Sequence, residues 1–200
     1  GTSGVLNIQN IIGGSAGDTL IGDEQANVLR GNGGENETID GGAGVDTLDE
    51  SNASVDLSVD LSTTDWQVGG RGQVRYLNLE VVLTGSGNDT ITSNSENNIL
   101  RGGTGDDTYR FKDGWGVDTV ADVGGNDTID FAPSIAGVTF DLANYIVTYL
   151  TNQVTYLGIE TLTGGAGNDT FLISGALSGD LNGGGGNDTF TFADGGTLEG

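Results

Sequence analysis

The 200 residues include 38 glycines and one proline, and only 34% of them are apolar. That is too little apolar material for a thick interior and the wrong composition for collagen or a proline-rich linker, so many short strands joined by glycine turns are expected. The 29 acids against 6 bases give a formal charge of −23, which repels nucleic-acid phosphates and anionic lipid and excludes both as direct partners. Such a chain also repels itself when compact, which calls for disorder or for bound cations. Cysteine, histidine and methionine are absent, so disulfides and the usual ligands of zinc, copper and haem are missing. No apolar run is long enough to insert in a membrane, no signal peptide is visible, and without an initiator methionine the chain reads as part of a larger parent.

Nine-residue units open the chain. The first block, residues 1–49, holds units at Gly13 (GGSAGDTLI), Gly22 (GDEQANVLR) and Gly41 (GGAGVDTLD), with a copy stretched by one residue, GNGGENETID, between the last two. Gly13 to Gly17 also fits the GxSxG elbow of serine hydrolases, but no histidine is present as base, and no catalytic residue is assigned. Residues 50–83 are a spacer in which alternating Val55, Leu57, Val59 and Leu61 predict a strand, followed by LNLEVVLTG around Glu80. The second block, 84–131, carries TGSGNDTIT from Thr84, SNSENNILR from Ser93 and GGTGDDTYR from Gly102, then GWGVDTVA and GGNDTIDF. A second spacer, 132–163, opens with Val138, Phe140 and Leu142 and ends in LGIETLTGG, with Glu160 matching Glu80. The third block, 164–200, holds GGAGNDTFL from Gly164 and GGGGNDTFT from Gly183 and is truncated. The spacers read as longer coils without metal turns rather than separate small domains, which makes the whole chain one solenoid.

Numbering the unit one to nine, position eight is Leu20, Leu29, Ile39, Leu48, Ile91, Leu100, Tyr109, Val120, Ile129, Phe171 or Phe190, apolar throughout. Glycine at positions one, two and four permits a tight turn, and Thr with the apolar residue at seven and eight suits a short strand. Three strand residues and a six-residue turn cannot fold alone. Stacked copies can bury position eight in a thin shared core, which predicts an all-β fold, a parallel β-roll or β-helix solenoid.

Position six is Asp18, Asn27, Glu37, Asp46, Asp89, Asn98, Asp107, Asp118, Asp127, Asp169 or Asp188. Successive turns fall on opposite edges of a roll, so units two apart share an edge. The same-edge pairs are Asp18 with Glu37, Asn27 with Asp46, Asp89 with Asp107, Asn98 with Asp118, Asp107 with Asp127, and Asp169 with Asp188. Facing carboxylates repel unless a cation lies between them, and bases are too scarce to serve. Carboxylate and carbonyl oxygens suit a hard divalent ion, and flexible loops suit calcium better than magnesium.

The units resemble the GGxGxDxUx nonapeptide of repeats-in-toxin proteins, the haemolysin-type calcium-binding repeats; GGTGDDTYRFKDGWGVDTVADVGGNDTIDFA resembles that family's aromatic variant. The resemblance implies calcium held between same-edge turns by the position-six aspartates Asp18, Asp46, Asp89, Asp107, Asp118, Asp127, Asp169 and Asp188. It also implies turn carbonyls such as those of Gly85, Gly87, Gly102, Gly165, Gly167 and Gly183. Sites built on Asn27, Asn98 or Glu37, or on the turn with Ala16 in place of glycine, are expected to be weaker. Export through a type I secretion channel, and an extracellular setting in which calcium binding folds the chain, follow from the same resemblance. The alternative is a glycan-binding accessory module of a secreted carbohydrate-active enzyme, with Trp66 and Trp115 as stacking platforms. A stiff adhesin stalk is a third reading. Asn-x-Thr strings fall out of the NDT repeat, and Arg30 and Arg101, which end matching units, are expected to pair with surface acids.

Overall fold

The computed structural model describes residues 8–174 and 179–193, so the outer ends of the first and third blocks lie outside it. Every regular element in it is a strand. The first block forms β1 (Asn10–Ile12), β2 (Thr19–Ile21), β3 (Val28–Arg30), β4 (Glu37–Asp40) and β5 (Thr47–Asp49). The first spacer forms β6 (Ser58–Asp60), β7 (Gln67–Gly69), β8 (Gly72–Leu77) and β9 (Val81–Leu83). In the second block are β10 (Thr90–Thr92), β11 (Ile99–Arg101), β12 (Thr108–Arg110), β13 (Val117–Ala121) and β14 (Thr128–Asp130). Next come β15 (Thr139–Asp141), β16 (Ile146–Tyr149), β17 (Asn152–Leu157) and β18 (Thr161–Thr163), and finally β19 (Thr170–Ser174), β20 (Asp180–Asn182) and β21 (Thr189–Ala193).

Successive strands of the repeats go to opposite faces. One face is a continuous sheet in the order β1-β3-β5-β9-β11-β13-β17-β16-β15-β19-β21; the other is split into β2-β4-β8-β7 and β6-β10-β12-β14-β18-β20. Pairing between repeat strands is parallel and in register, as the stacked-coil reading requires: Leu100 lies between Val82 and Val120, and Tyr109 between Ile91 and Ile129. Position-eight residues therefore form two columns facing each other, and Leu29, Leu48, Leu100, Tyr109, Ile129 and Phe171 are fully buried. A strand residue every second position points inward, so a three-residue strand buries its middle and leaves its flanks half-exposed. In the second half the core is aromatic: Phe140 stacks on Phe171 at 4.3 Å, and the exposed Phe190 continues the stack from Phe171 at 4.7 Å.

The spacers pair with the repeats on both sides but are not plain coils. In the first, β7 and β8 make an antiparallel hairpin; in the second, β16 runs antiparallel between β15 and β17. Two reversals return β17 to the direction of the coils, so it pairs in parallel with β13. The alternating residues of the first spacer are only partly strand: Leu57 and Val59 are buried, whereas Val55 is exposed. Where the split face breaks, the Gln67 side chain bridges the gap. Its amide oxygen accepts the Asp60 N–H at 2.8 Å and its NH₂ donates to the Asp60 carbonyl at 2.9 Å.

Trp115 is 1% exposed and meets Phe131 edge-on at 4.8 Å, so it offers no face to a sugar. Trp66 is exposed and lies under the Arg75 guanidinium. Arg30 pairs with Asp49, as expected, but Arg101 joins none of the ion pairs found among the described residues. The difference is in the adjacent strand: Arg30 has Asp49 at the matching position of the next coil, while the coil after Arg101 offers Ala121 there.

Candidate metal centres in the turns

All but one of the same-edge pairs are tied by the position-six side chain. Asp46 Oδ1 accepts the Asn27 amide at 2.8 Å, Asp107 Oδ1 the Asp89 amide at 2.7 Å, and Asp118 Oδ1 the Asn98 amide at 2.8 Å. Asp127 Oδ1 does the same for Asp107 at 2.8 Å, and Asp188 Oδ1 for Asp169 at 2.9 Å. Asp18 leads directly into β2 and Glu37 opens the adjacent β4, and the Thr38 amide donates to the Asp18 carbonyl. Every same-edge pair named from the sequence is thus on adjacent coils.

The ladder also runs through the spacers. Asp89 Oδ1 accepts the Leu57 amide and Asp169 Oδ1 the Val138 amide, both at 2.7 Å. From the other side, Glu80 Oε2 accepts the Asp46 amide at 2.8 Å and Glu160 Oε2 the Asp127 amide at 2.9 Å. Glu80 and Glu160 thus occupy the place of a position-six aspartate. Sequence reasoning put them in register with each other but did not assign them to the turns; the signal was an acid two residues ahead of the inward-facing Val82 and Leu162. Asp122, which opens the unit of Asp127, was also missed.

The second oxygen of each acid separates the turns into two kinds. Asp18 Oδ2 accepts the Gly14 amide at 2.6 Å, and Asp169 Oδ2 the Gly165 amide at 2.8 Å. Asn27 and Asn98 close their own turns through the amides of Asp23 and Asn94. By contrast Oδ2 of Asp46, Asp89, Asp107 and Asp118, and Oε1 of Glu37, are buried without a hydrogen-bond partner, although the Ser93 hydroxyl lies near enough to Asp118 to favour its charged form. The space around them is tight: a Cβ on Gly102 would lie 2.0 Å from Asp107 Oδ2, so position one must be bare there. A buried anionic oxygen without a donor is costly and calls for a proton or a cation. Lysine and arginine do not supply it, because their ion pairs among the described residues go to Asp49, Glu50, Asp130 and Asp60.

The named carbonyls face the neighbouring turns. A Cβ on Gly103, which has φ 107°, would lie 2.1 Å from the Gly85 oxygen, and one on Gly105 would lie 2.2 Å from that of Gly87. Gly165 and Gly167 oxygens face Gly184 and Gly186 in the same way, and the Gly183 oxygen faces Gly164. The Gly102 oxygen accepts the Thr84 hydroxyl at 2.8 Å. Orphaned carboxylate oxygens among backbone carbonyls, with no nitrogen or sulfur ligand, fit a hard oxygen-seeking ion.

The family model for the RTX calcium-binding nonapeptide repeat matches in four copies, over residues 12–48, 83–114 and 155–172. Those segments are RTX repeats. No curated protein matches the chain. The RTX match makes this a calcium-binding repeat module; the coils bearing Asp118, Asp127 and Asp188 lie outside the matched segments but share the same ladder.

Without metal, burial pushes the Asp118 carboxyl up to about 8. Glu37 rises to about 7, through burial first and then the charges of Glu50 and Asp18, against the lowering influence of Arg71. Burial raises Asp107 and Asp127 as well, with neighbouring acids adding to it. In the unfolded chain these groups ionise near pH 4. Between that pH and about 8 the folded RTX coils hold protons that the unfolded chain has released. This contribution to stability is complete below about pH 4 and is lost as the pH rises through 7 to 8. In a chelating buffer, acidification from about pH 8 to about pH 5 is therefore expected to increase strand content. Circular dichroism at graded pH checks this, and a strand signal that weakens on acidification would contradict it.

Proposed function

We propose that this chain is a calcium-dependent folding module of a larger secreted protein, one continuous solenoid that catalyses no reaction itself. The observation that carries the reading is the set of buried aspartate oxygens, Oδ2 of Asp46, Asp89, Asp107 and Asp118, that have no hydrogen-bond partner. When bound, calcium supplies the positive charge that these oxygens lack and a loose shell of six to eight oxygen ligands. Oδ1 of each acid stays with the amide of the preceding coil and fixes the carboxylate, leaving Oδ2 to face the ion. The carbonyls of Gly85, Gly87 and Gly102 would add oxygens on the edge of Asp89 and Asp107, and those of Gly165, Gly167 and Gly183 on the edge of Asp169 and Asp188. Turns with Asn27 and Asn98 offer one charge fewer and hold the ion less tightly.

Extracellular calcium modules work at roughly 10⁻⁴ to 10⁻³ M, far above cytosolic calcium. Such affinities leave the chain loose inside the cell and folded outside it, which suits passage through a type I secretion channel. Equilibrium dialysis of the whole chain against calcium, with excess magnesium as competitor, tests the reading. Several calcium ions per chain, retained against magnesium, are expected. No bound calcium at about 10 mM, well above that range, would overturn it.

A further inference from the structure

Position one of the repeat is glycine at Gly41, Gly102, Gly164 and Gly183, but the unit that contains Asp127 begins with Asp122. This acid is 6% exposed. Its Oδ1 accepts the amides of Val123 at 2.6 Å and Gly124 at 3.0 Å, and its Oδ2 accepts the Tyr109 hydroxyl, which in turn accepts the Gly102 amide. Those bonds hold the side chain inside the roll, over the turn of the preceding same-edge coil. There, one carboxylate oxygen from each of Asp107, Asp122 and Asp127 lies within 4.8 Å of the other two. Asp107, 1% exposed, brings an Oδ2 that has no donor. Calcium–oxygen bonds are about 2.3–2.6 Å, so two oxygens on one ion lie at most about 5 Å apart.

We propose that Asp122 is a calcium ligand and that Asp107, Asp122 and Asp127 form one three-carboxylate centre, the tightest on the chain and the first to fill. The proposal rests on the calcium reading of the turns and goes beyond it at Asp122, because the repeat pattern leaves position one without a side chain. Affinity in oxygen-ligand sites rises with carboxylate count. The Asn98–Asp118 pair offers one carboxylate and the Asp89–Asp107 pair two, against three here. Glu160 supports the same turn from the far side, holding the Asp127 amide at 2.9 Å. Three convergent charges would also disfavour closure of this turn until an ion arrives, so the centre sets the order in which its neighbours fill.

The test is calorimetric titration of the full chain with calcium, alongside titration with terbium, whose emission is sensitised by the nearby Tyr109 ring. The unaltered chain is expected to show an early-saturating class, with terbium emission rising from the first equivalent. Asp122→Asn keeps an oxygen for the Val123 and Gly124 amides and is expected to weaken that class about tenfold or more while later sites still fill. Asp122→Gly, which restores the usual position-one residue, should do the same. An early class unchanged in an Asp122 variant that reaches full strand content at saturating calcium overturns the centre and leaves calcium binding by the other turns standing. Failure of the unaltered chain to take up calcium overturns the broader reading instead.

Discussion

Adding a chelator to the calcium-loaded chain is expected to convert a strand-type circular dichroism spectrum into a coil-type one, and calcium at about 10 mM to restore it. Two features of the chain oppose folding without the ion. Its 38 glycines lose more backbone freedom on ordering than other residues do, and its charge of −23 is concentrated when the coils stack. The core that repays this is thin, with one inward residue per short strand in most coils. A ligand that binds only the folded state adds about 2.7 kcal/mol per site at a hundredfold excess over Kd. Four such sites, one for each donorless aspartate oxygen, add about 11 kcal/mol, as much as the whole stability of an ordinary domain. A spectrum that does not change between chelator and about 10 mM calcium would show that packing alone suffices.

Asp107→Asn is expected to act in opposite directions with and without calcium. Asp107 lies in the middle of the ladder: its Oδ1 takes the Asp89 amide, its own amide goes to Asp127, and its Oδ2 is buried without a donor. The asparagine keeps an oxygen for Asp89 and removes a charge that burial and the acids Asp89, Asp122 and Asp127 disfavour. In chelator at neutral pH the variant should therefore show more strand than the parent. With calcium it lacks a carboxylate shared by the turns on either side, and the calcium midpoint of folding should rise about tenfold or more. Asp106→Asn makes the same charge change at an exposed neighbour whose side chain accepts the Asn126 amide, and should move neither quantity appreciably. Equal effects of the two substitutions would reduce the role of Asp107 to general charge.

The repeat was readable because its two determinants are local. Apolar position eight fixes which residue points inward, and the nine-residue period fixes which acids share an edge, so the pairs from Asp18–Glu37 to Asp169–Asp188 follow without coordinates. Glu80 and Glu160 escaped because they reach partners 34 and 33 residues back in the chain, across spacers with no fixed period. Alternation in those spacers predicts strands but carries no direction, which is why the hairpin of β7 and β8 and the reversed β16 were not foreseen. Trp115 is flanked by glycines in a stretched turn, a composition that suits an exposed loop equally well; only the fold shows it folded back onto Phe131. Asp122 was hidden by the consensus itself, which trains attention on position six.

The position-six ladder is one-way, with the side-chain oxygen on the later coil and the N–H on the earlier one, while the position-five side chains run the other way, Asn88 Oδ1 taking the Asp106 amide and Asn168 Oδ1 the Asn187 amide. A stack of such coils consequently has unlike ends, a head with unused position-six acceptors and position-five N–H groups, and a tail with the converse set. Head can meet tail, but head cannot meet head. Growth, fusion or swapping of these arrays is thereby polar, like the laying of overlapping tiles, and a coil grafted in reverse would find no partner for its acid.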